Sequence, residues 1–301
     1  MKERAVLRLP DEYSVELTLY PSMIYPLFSR VGKGEYAKVV GRYHGTSIKI
    51  AGSLAVAKNP RGVSARAAEE WLGIWYDPLE EVSKLSRSSR SRVEPLVEAY
   101  RGLRIAISSV DREYVFVSSF LSQNTSFHAN TCRWISALAE TYGPEFLEKP
   151  VDFSRAGSSY QLARLGKSYP IYREVEEPPD LGELRITLMR IPGVGPKVAD
   201  AYLLFSRRAP ESAPCDVHLR RIVARLGLVE YSALPAKNLC SKYYCWVESS
   251  CPKKGECLRY IFMRTYGKLS GFIQTASYLH DKLYCSRNRC GECPLREACS
   301  R

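Results

Sequence analysis

The chain has 301 residues, of which 45% are hydrophobic and 25% charged, with a formal net charge of +12. The hydrophobic content excludes a disordered protein, and the length suffices for two or three packed units. The positive charge suits a surface that contacts a polyanion, and no apolar run reaches the roughly 18 residues of a membrane span. We therefore expect a cytoplasmic protein with no targeting signal and no membrane partner.

The first stretch, residues 1–62, shows the two-residue period of an antiparallel sheet. Apolar side chains share a face in three short runs: Val15, Leu17 and Leu19; Ile48 and Ile50; Leu54 and Val56. Glycines separate these runs and suit tight turns. The pattern predicts an N-terminal antiparallel β-sheet domain over residues 1–62.

The period becomes helical after residue 62. Apolar spacing predicts helices over 65–72, 79–85 and 93–100, and the Ser- and Arg-rich segment 86–92 is predicted to be a solvated loop. We expect a helical core over 63–284, so that the fold class is α+β and mainly α. Farther on, Gln123 and Asn124 stand side by side in a chain with only three Gln and five Asn. This depletion of amides suits a hot environment.

A helix, a glycine hairpin and a second helix are predicted over residues 181–205. Asp180 and Glu183 form a capping box, and a stripe of leucines follows at helical spacing. Pro196 suits the first position of the second helix, which places Lys197 in its first turn. The helix dipole there disfavours the ammonium form of a lysine.

The hairpin residues Gly193, Val194 and Gly195 can present backbone N–H groups to a phosphate. Asp216 follows Lys197 by nineteen residues, within Cys-Asp-Val-His. This combination resembles the helix-hairpin-helix DNA glycosylase superfamily (HhH-GPD), whose members cut damaged bases from DNA. The resemblance implies that Lys197 attacks C1′ of the damaged nucleotide to form a Schiff base. It also implies that Asp216 stabilises the positive charge that develops on the sugar.

The same resemblance assigns residues to the flipped nucleotide. Gln123 and Asn124 match the turn that fills the gap in the duplex, and the alternative is a helix C-terminus capped by these amides. Gln274 and Tyr278 lie at i and i+4, where the 8-oxoguanine branch binds the edge and the face of the base. The alternative is a core helix with Tyr278 packed and Gln274 in solvent. His218 is interpreted as a structural or phosphate-side residue.

Four cysteines with the spacing Cys285-x4-Cys290-x2-Cys293-x5-Cys299 close the sequence. Four thiolates suit a [4Fe–4S] cluster, which would make 285–301 an iron–sulfur cluster loop. The endonuclease III and adenine-glycosylase branches carry a similar loop, usually with six residues in the first gap where this chain has four. A four-cysteine zinc site is the alternative.

An insertion at residues 235–260 carries four further cysteines, which are Cys240, Cys245, Cys251 and Cys257. They are interpreted as two disulfides, a small zinc site or free thiols. Disulfides are favoured because intracellular proteins of hyperthermophiles contain them. Cys132 and Cys215 are predicted to be core residues.

These features together predict a monomeric, nucleoid-associated enzyme that acts on double-stranded DNA containing damaged bases. The favoured activity is that of a bifunctional DNA glycosylase and AP lyase on an oxidised purine such as 8-oxoguanine. The sheet domain and the pair Gln274 and Tyr278 favour this activity. An endonuclease III-like enzyme for oxidised pyrimidines such as thymine glycol is the alternative, favoured by the cysteine loop and Gln123. A non-catalytic protein that binds damaged DNA is a third interpretation.

Overall fold

The computed structural model describes residues 2–300, and it combines one sheet with thirteen α-helices in that range. The strands are β1 Lys2–Arg8, β2 Phe28–Gly32, β3 Glu35–Lys38, β4 Ser47–Ala51 and β5 Leu54–Val63. The helices are α1 Val15–Leu19, α2 Ala65–Trp71, α3 Pro78–Ser83, α4 Arg87–Ala99, α5 Arg112–Leu121, α6 Cys132–Tyr142, α7 Tyr160–Arg173, α8 Leu181–Arg190, α9 Pro196–Ser206, α10 Val217–Leu226, α11 Lys237–Cys240, α12 Leu258–Tyr266 and α13 Ser270–Leu283. The predicted α+β, mainly helical class is confirmed.

The sheet is antiparallel throughout, with strand order β1-β5-β4-β3-β2. A two-residue turn joins β4 to β5, and Gly52 in this turn has a φ of +60° that favours glycine. The small residues Ala55 and Ala57 of β5 are fully buried, whereas Leu54 is exposed. The two-residue alternation of β5 was thus predicted correctly. The side chains of β5 that pack into the core are the alanines, however, and Leu54 lies on the opposite face.

Two segments differ from the sequence prediction. Residues 15–19 form the helix α1 and not a strand, because Val15, Thr18 and Leu19 are the buried positions and follow a helical period. The Ser14 hydroxyl accepts a hydrogen bond from the Leu17 N–H at 3.2 Å and caps this helix. Residues 87–92 belong to α4 and are not a loop. Ser86 caps that helix. Its first six residues are polar, and its buried residues, which are Val93, Leu96 and Val97, come after them.

The sheet and the helices share one apolar core. Trp71 of α2 is fully buried at their junction, and its indole N–H donates to the Ser108 hydroxyl at 3.2 Å. Nearby, the Lys38 ammonium and the Asp111 carboxylate form a fully buried ion pair at 3.0 Å. A buried charge without its partner is costly, so this pair fixes the sheet against the start of α5. No helix within residues 2–300 is long and apolar enough to cross a membrane.

A buried ion triad holds the two helices of the hairpin motif. The Asp200 carboxylate of α9 accepts from the guanidinium groups of Arg185 in α8, at 2.7 Å, and Arg259 in α12, at 2.9 Å. All three side chains are almost completely buried. The α8–α9 pair is therefore anchored to α12, which begins at the end of the insertion, and the hairpin between α8 and α9 occupies a fixed position.

Candidate active site

A cavity of about 260 Å³ opens between α9, the start of α10 and α13. Its lining includes Lys197, Asp216, Gln274, Tyr278, His218 and Lys282. The turn after α5 contributes Asn124, and the N-terminal part of the chain contributes Met23. The structure thus brings together the two predicted catalytic residues and the two predicted base-binding residues. We call this space the lysine cavity.

Lys197 is half-buried in the first turn of α9, where Pro196 occupies the preceding helical position. Its ammonium donates to the backbone carbonyl of Ser122 at 3.3 Å. Burial lowers the pKa of Lys197 below the ordinary value of a lysine, while the negative charge of Asp216 opposes that shift. A lowered pKa increases the fraction of free amine near neutral pH, and the free amine is the nucleophilic form.

Asp216 is fixed at both carboxylate oxygens. It is the N-cap of α10, where Oδ1 accepts from the Leu219 N–H at 2.8 Å. Oδ2 accepts from the side-chain amide of Gln274 at 3.1 Å. The carboxylate therefore keeps one orientation at the wall of the lysine cavity, where it can stabilise a nearby positive charge.

Gln274 and Tyr278 lie on the same face of α13, as their i, i+4 spacing predicted. Because a carboxylate only accepts hydrogen bonds, the contact with Asp216 requires the amide nitrogen of Gln274 to point toward it. The carbonyl oxygen of Gln274 is then available to accept hydrogen bonds from a base. The ring of Tyr278 packs edge-on against His218, with ring centroids 4.8 Å apart. Gln274 is buried and does not face bulk solvent.

His218 is held by an ionic network behind the cavity wall. Its Nδ1 lies 2.5 Å from the fully buried Asp281 carboxylate, which also accepts from Arg221 and, at 2.9 Å, from the Ser286 hydroxyl. These hydrogen bonds hold the pKa of Asp281 well below its usual range, although burial opposes them. His218 is therefore held in a fixed orientation beside Tyr278.

The glycine hairpin leaves two backbone donors free. Gly193 has a φ of +80°, and within residues 2–300 the N–H groups of Gly193 and Gly195 have no acceptor. Val194 between them is buried, and its N–H donates to the Ile191 carbonyl at 3.1 Å. The Ser168 hydroxyl donates to the Pro192 carbonyl at 2.7 Å and supports the turn. Two free N–H groups beside a helix N-terminus suit an anion such as a phosphate.

Gly193 and Gly195 provide a matched pair of substitutions. A Cβ at Gly193 would lie 2.8 Å from the Phe120 ring and would force a residue with a side chain to adopt a left-handed φ. A Cβ at Gly195 meets nothing within 4 Å. We expect Gly193→Ala to lower the free energy of unfolding by about 1–3 kcal/mol and to weaken duplex DNA binding. Gly195→Ala should change the stability by less than about 0.5 kcal/mol. Chemical denaturation of both variants tests this, and equal effects would contradict it.

The two amides after α5 have different surroundings. The side chain of Gln123 donates back to the Phe120 carbonyl at 2.9 Å, which caps the end of α5. Asn124 has a φ of +49°, is exposed and lines the lysine cavity. Of these two amides, Asn124 therefore lies at the lysine cavity, whereas the side chain of Gln123 caps α5.

The four C-terminal cysteines surround a second cavity, of about 340 Å³. Cys285, Cys290, Cys293 and Cys299 are all partly buried, and Arg225 and Arg296 line the same space. His280 on α13 lies with Nε2 3.4 Å from the Cys293 sulfur. No group of three or more His, Cys, Asp or Glu side chains within residues 2–300 is arranged to hold a metal ion.

The cysteines of the insertion lie beside the buried ion triad. Cys240, Cys245 and Cys257 are buried, and the Cys245 sulfur lies 3.3 Å from the Arg259 guanidinium. All ten cysteines are free thiols in the structure, which contains none of the disulfides that the amide-poor composition favoured for the insertion. Cys132 and Cys215 are half-buried and not fully enclosed.

Several lining residues were not found from the sequence. Lys282 lies four positions after Tyr278 on α13, and its ammonium stands over the Tyr278 ring at 5.8 Å. The i, i+4 spacing could have revealed this lysine. Met23 and Phe205 contribute apolar surface to the cavity, and no local pattern distinguishes them from core residues.

No family model and no curated protein matches the sequence. The solved structures do provide matches, and one is the 8-oxoguanine glycosylase/lyase from Clostridium acetobutylicum in complex with double-stranded DNA containing cytosine opposite 8-oxoG. It is 17% identical, with 94% of this chain and 96% of that chain covered and a TM-score of 0.69. MBOgg1 in complex with a low-affinity DNA ligand is 19% identical, with 92% and 95% covered and a TM-score of 0.70.

A third similar structure is the 3-methyladenine DNA-glycosylase from Archaeoglobus fulgidus. It is 16% identical, with 92% of this chain and 98% of that chain covered and a TM-score of 0.64. These likenesses cover 92–94% of this chain. They confirm the predicted resemblance at the level of fold, which is the helix-hairpin-helix glycosylase fold.

Proposed function

We propose that this chain, which has the helix-hairpin-helix glycosylase fold, is a bifunctional DNA glycosylase and AP lyase that excises an oxidised base. The observation that carries the proposal is the lysine cavity, where Lys197, Asp216, Gln274 and Tyr278 meet. A nucleophilic amine, a fixed carboxylate, an amide and an aromatic ring are the groups that such a reaction requires. Two of the solved structures named above are a glycosylase/lyase and a DNA-glycosylase, and MBOgg1 is in complex with a DNA ligand, which supports the proposal.

The first step is the displacement of the base. The neutral amine of Lys197 attacks C1′ as the bond from C1′ to the base breaks, and the base departs with a proton. Positive charge develops on the sugar, and the carboxylate of Asp216 stabilises it because its orientation is already fixed. The sugar ring then opens as the bond from C1′ to O4′ breaks. Of the two amine protons, one leaves with the base and the other goes to O4′, which leaves a Schiff base between Lys197 and C1′.

The second step cuts the strand. The Schiff base makes the proton on C2′ acidic, and its removal expels the 3′ phosphate by β-elimination. Water then releases Lys197. The free N–H groups of Gly193 and Gly195 suit a phosphate of the same strand, which would hold the sugar in place during both steps.

The proposed substrate is an oxidised purine, with 8-oxoguanine favoured. The free carbonyl oxygen of Gln274 can accept from the N–H groups on the edge of 8-oxoguanine, and the Tyr278 ring offers an aromatic face. A second candidate is an oxidised pyrimidine such as thymine glycol. The four-cysteine loop favours it, because a similar loop occurs in the endonuclease III branch.

Single-turnover cleavage of two labelled duplexes distinguishes these substrates. One duplex carries 8-oxoguanine opposite cytosine and the other carries thymine glycol, and each reaction is repeated with borohydride trapping. We expect the first duplex to be cut at least about tenfold faster, which corresponds to about 1.4 kcal/mol in activation free energy. Faster cutting of thymine glycol would establish the second candidate. No cutting of either duplex, with tight binding retained, would favour a non-catalytic protein that binds damaged DNA.

We also propose that Cys285, Cys290, Cys293 and Cys299 hold a [4Fe–4S] cluster. Their four thiols line one cavity, and Arg225 and Arg296 suit the negative charge of a thiolate-bound cluster. The His280 nitrogen beside Cys293 suits a hydrogen-bond donor to a sulfur ligand. When bound, the cluster supplies a rigid cross-link of the loop, which would position its arginines toward DNA.

The cluster can be tested on the purified protein. We expect a brown protein with absorbance near about 400 nm and roughly four iron atoms per chain. Cys290→Ser should lose most of the iron and the colour, whereas Cys132→Ser, which removes a thiol elsewhere, should keep both. A colourless protein that contains zinc would contradict the assignment.

The partner is double-stranded DNA containing damaged bases, and we propose that a monomer binds it. The positive net charge of the chain suits this partner. An enzyme for such a substrate would be associated with the nucleoid.

Zinc binding by Cys240, Cys245, Cys251 and Cys257 stays a prediction, and metal analysis of the Cys290→Ser variant would reveal it.

A further inference from the structure

A third cavity, of about 570 Å³, lies where the sheet meets the helical core. Four chain segments converge there: the turn after β3, the start of α2, the start of α5 and the end of α9. Five arginines line it, which are Arg42, Arg66, Arg112, Arg207 and Arg208. Three serines complete its polar wall, which are Ser64, Ser109 and Ser206. We call this space the arginine cavity.

Two carboxylates hold four of these arginines in place. Glu70 is fully buried and lies 2.8 Å from Arg208 and 3.8 Å from Arg66. Glu177 lies 2.8 Å from Arg112 and also pairs with Arg207. A guanidinium has five N–H donors, so each pairing leaves donors available for a ligand.

The arginine cavity has more positive than negative charges, and one of its buried hydrogen-bond donors has no acceptor within residues 2–300. Five positive charges face the two carboxylates, which leaves an excess of three. The Nη2 atom of Arg208 is buried and has no acceptor within residues 2–300. Arg42 pairs with no carboxylate in the same range. A buried donor without an acceptor is destabilising, so an acceptor supplied by a ligand would be stabilising.

The arginine cavity is separate from the lysine cavity. The two share no lining residue, and α9 contributes to both: Lys197 and Phe205 line the lysine cavity, and Ser206 lines the arginine cavity. Lys197 is the second residue of that helix and Ser206 is the last. Nine residues of α-helix rise by about 14 Å, so a phosphate bound near Lys197 does not reach the arginines.

We propose that the arginine cavity is a second anion-binding site, which takes a ligand with two or more linked phosphate groups. One guanidinium group can bind two oxygens of a phosphate at the same time. The excess of three positive charges favours a ligand with several negative charges. Linked phosphates of this kind come from two sources: the backbone of a duplex that extends beyond the lesion, and a free oligophosphate such as a nucleotide.

The test uses the full chain and compares two variants with the same change in net charge. Arg42→Ser/Arg66→Ser removes two exposed arginines of the cavity. Arg4→Ser/Arg8→Ser removes two exposed arginines of β1, away from the cavity. Titration calorimetry with sodium tripolyphosphate measures binding of a free ligand. Binding of an undamaged duplex at several salt concentrations measures contacts with the backbone.

A free oligophosphate ligand is indicated if the cavity variant raises the Kd for tripolyphosphate at least tenfold and the β1 variant does not. A backbone ligand is indicated if only the cavity variant lowers the slope of log K against log salt, by about 2. The proposal is overturned if both variants match the parent protein in both measurements. It is also overturned if the β1 variant shows the same losses as the cavity variant, because net charge alone would then explain them.

Discussion

We expect Lys197→Gln to yield no covalent protein–DNA adduct after borohydride reduction, while duplex binding stays within about threefold of the parent protein. Glutamine keeps most of the side-chain volume but has no nucleophilic amine, so Schiff-base formation stops. Loss of this step should slow strand cleavage at least about 10³-fold, which corresponds to about 4 kcal/mol in activation free energy. Single-turnover cleavage and trapping on the preferred lesion measure both effects.

Lys282→Gln is the matched control, because Lys282 lines the same cavity and the substitution is the same. It should retain the adduct and lose less than about tenfold in rate. If the Lys282→Gln variant loses trapping and the Lys197→Gln variant keeps it, Lys282 is the nucleophile and the assignment of Lys197 is wrong. If both variants keep the adduct, the reactive amine lies outside the lysine cavity.

The second large effect is expected for Asp216→Asn. Asparagine can still accept the Leu219 N–H that caps α10, so the fold should be preserved. The negative charge beside the sugar is lost, and we expect the rate of base release to fall by about 10²- to 10³-fold. Single-turnover kinetics measure this fall, and thermal unfolding verifies that the variant is folded.

Asp180→Asn provides the control for the helix cap. Asp180 is the N-cap of α8 and accepts from the Glu183 N–H at 2.8 Å, in the same way that Asp216 accepts at α10. It lies outside the lysine cavity, so its variant should cleave at nearly the parent rate. Equal rate losses in the two variants would mean that the effect of Asp216→Asn is structural.

The pH dependence of trapping follows from the pKa shift of Lys197. Burial lowers this pKa and the charge of Asp216 raises it. The trapping rate should therefore rise with pH and level off below the ordinary lysine pKa of about 10.4. In the Asp216→Asn variant no negative charge at this position raises the pKa of Lys197, so the pH of half-maximal trapping should be lower than in the parent protein.

The hairpin motif was predictable because its determinants are local. A capping aspartate, a left-handed glycine, a proline at the first helical position and the lysine after it all act within about one helical turn of their own residue. The i, i+4 pair Gln274 and Tyr278 was predictable for the same reason. Local patterns also predicted the class of the fold, because a two-residue period over residues 1–62 is followed by helical periods in the rest of the chain.

Short segments were ambiguous. In α1, a strand would place Val15, Leu17 and Leu19 on one face. A helix would instead bury Val15, Thr18 and Leu19, as the structure does. Five residues are too few to distinguish the two periods from the sequence. The Ser- and Arg-rich start of α4 shows no apolar stripe, so its helical state depends on the cap at Ser86 and on the residues that follow.

The sequence by itself thus predicted the fold class and the glycine hairpin, and it singled out Lys197, Asp216 and the two groups of cysteines as candidate site residues. The tertiary structure decided which groups meet. The hydrogen bond from Gln274 to Asp216 joins residues 58 apart in the chain. Lys282 and Met23 line the lysine cavity, and five arginines from separate segments line the arginine cavity. Such contacts depend on how distant elements pack in the core, and no local period or cap specifies that packing.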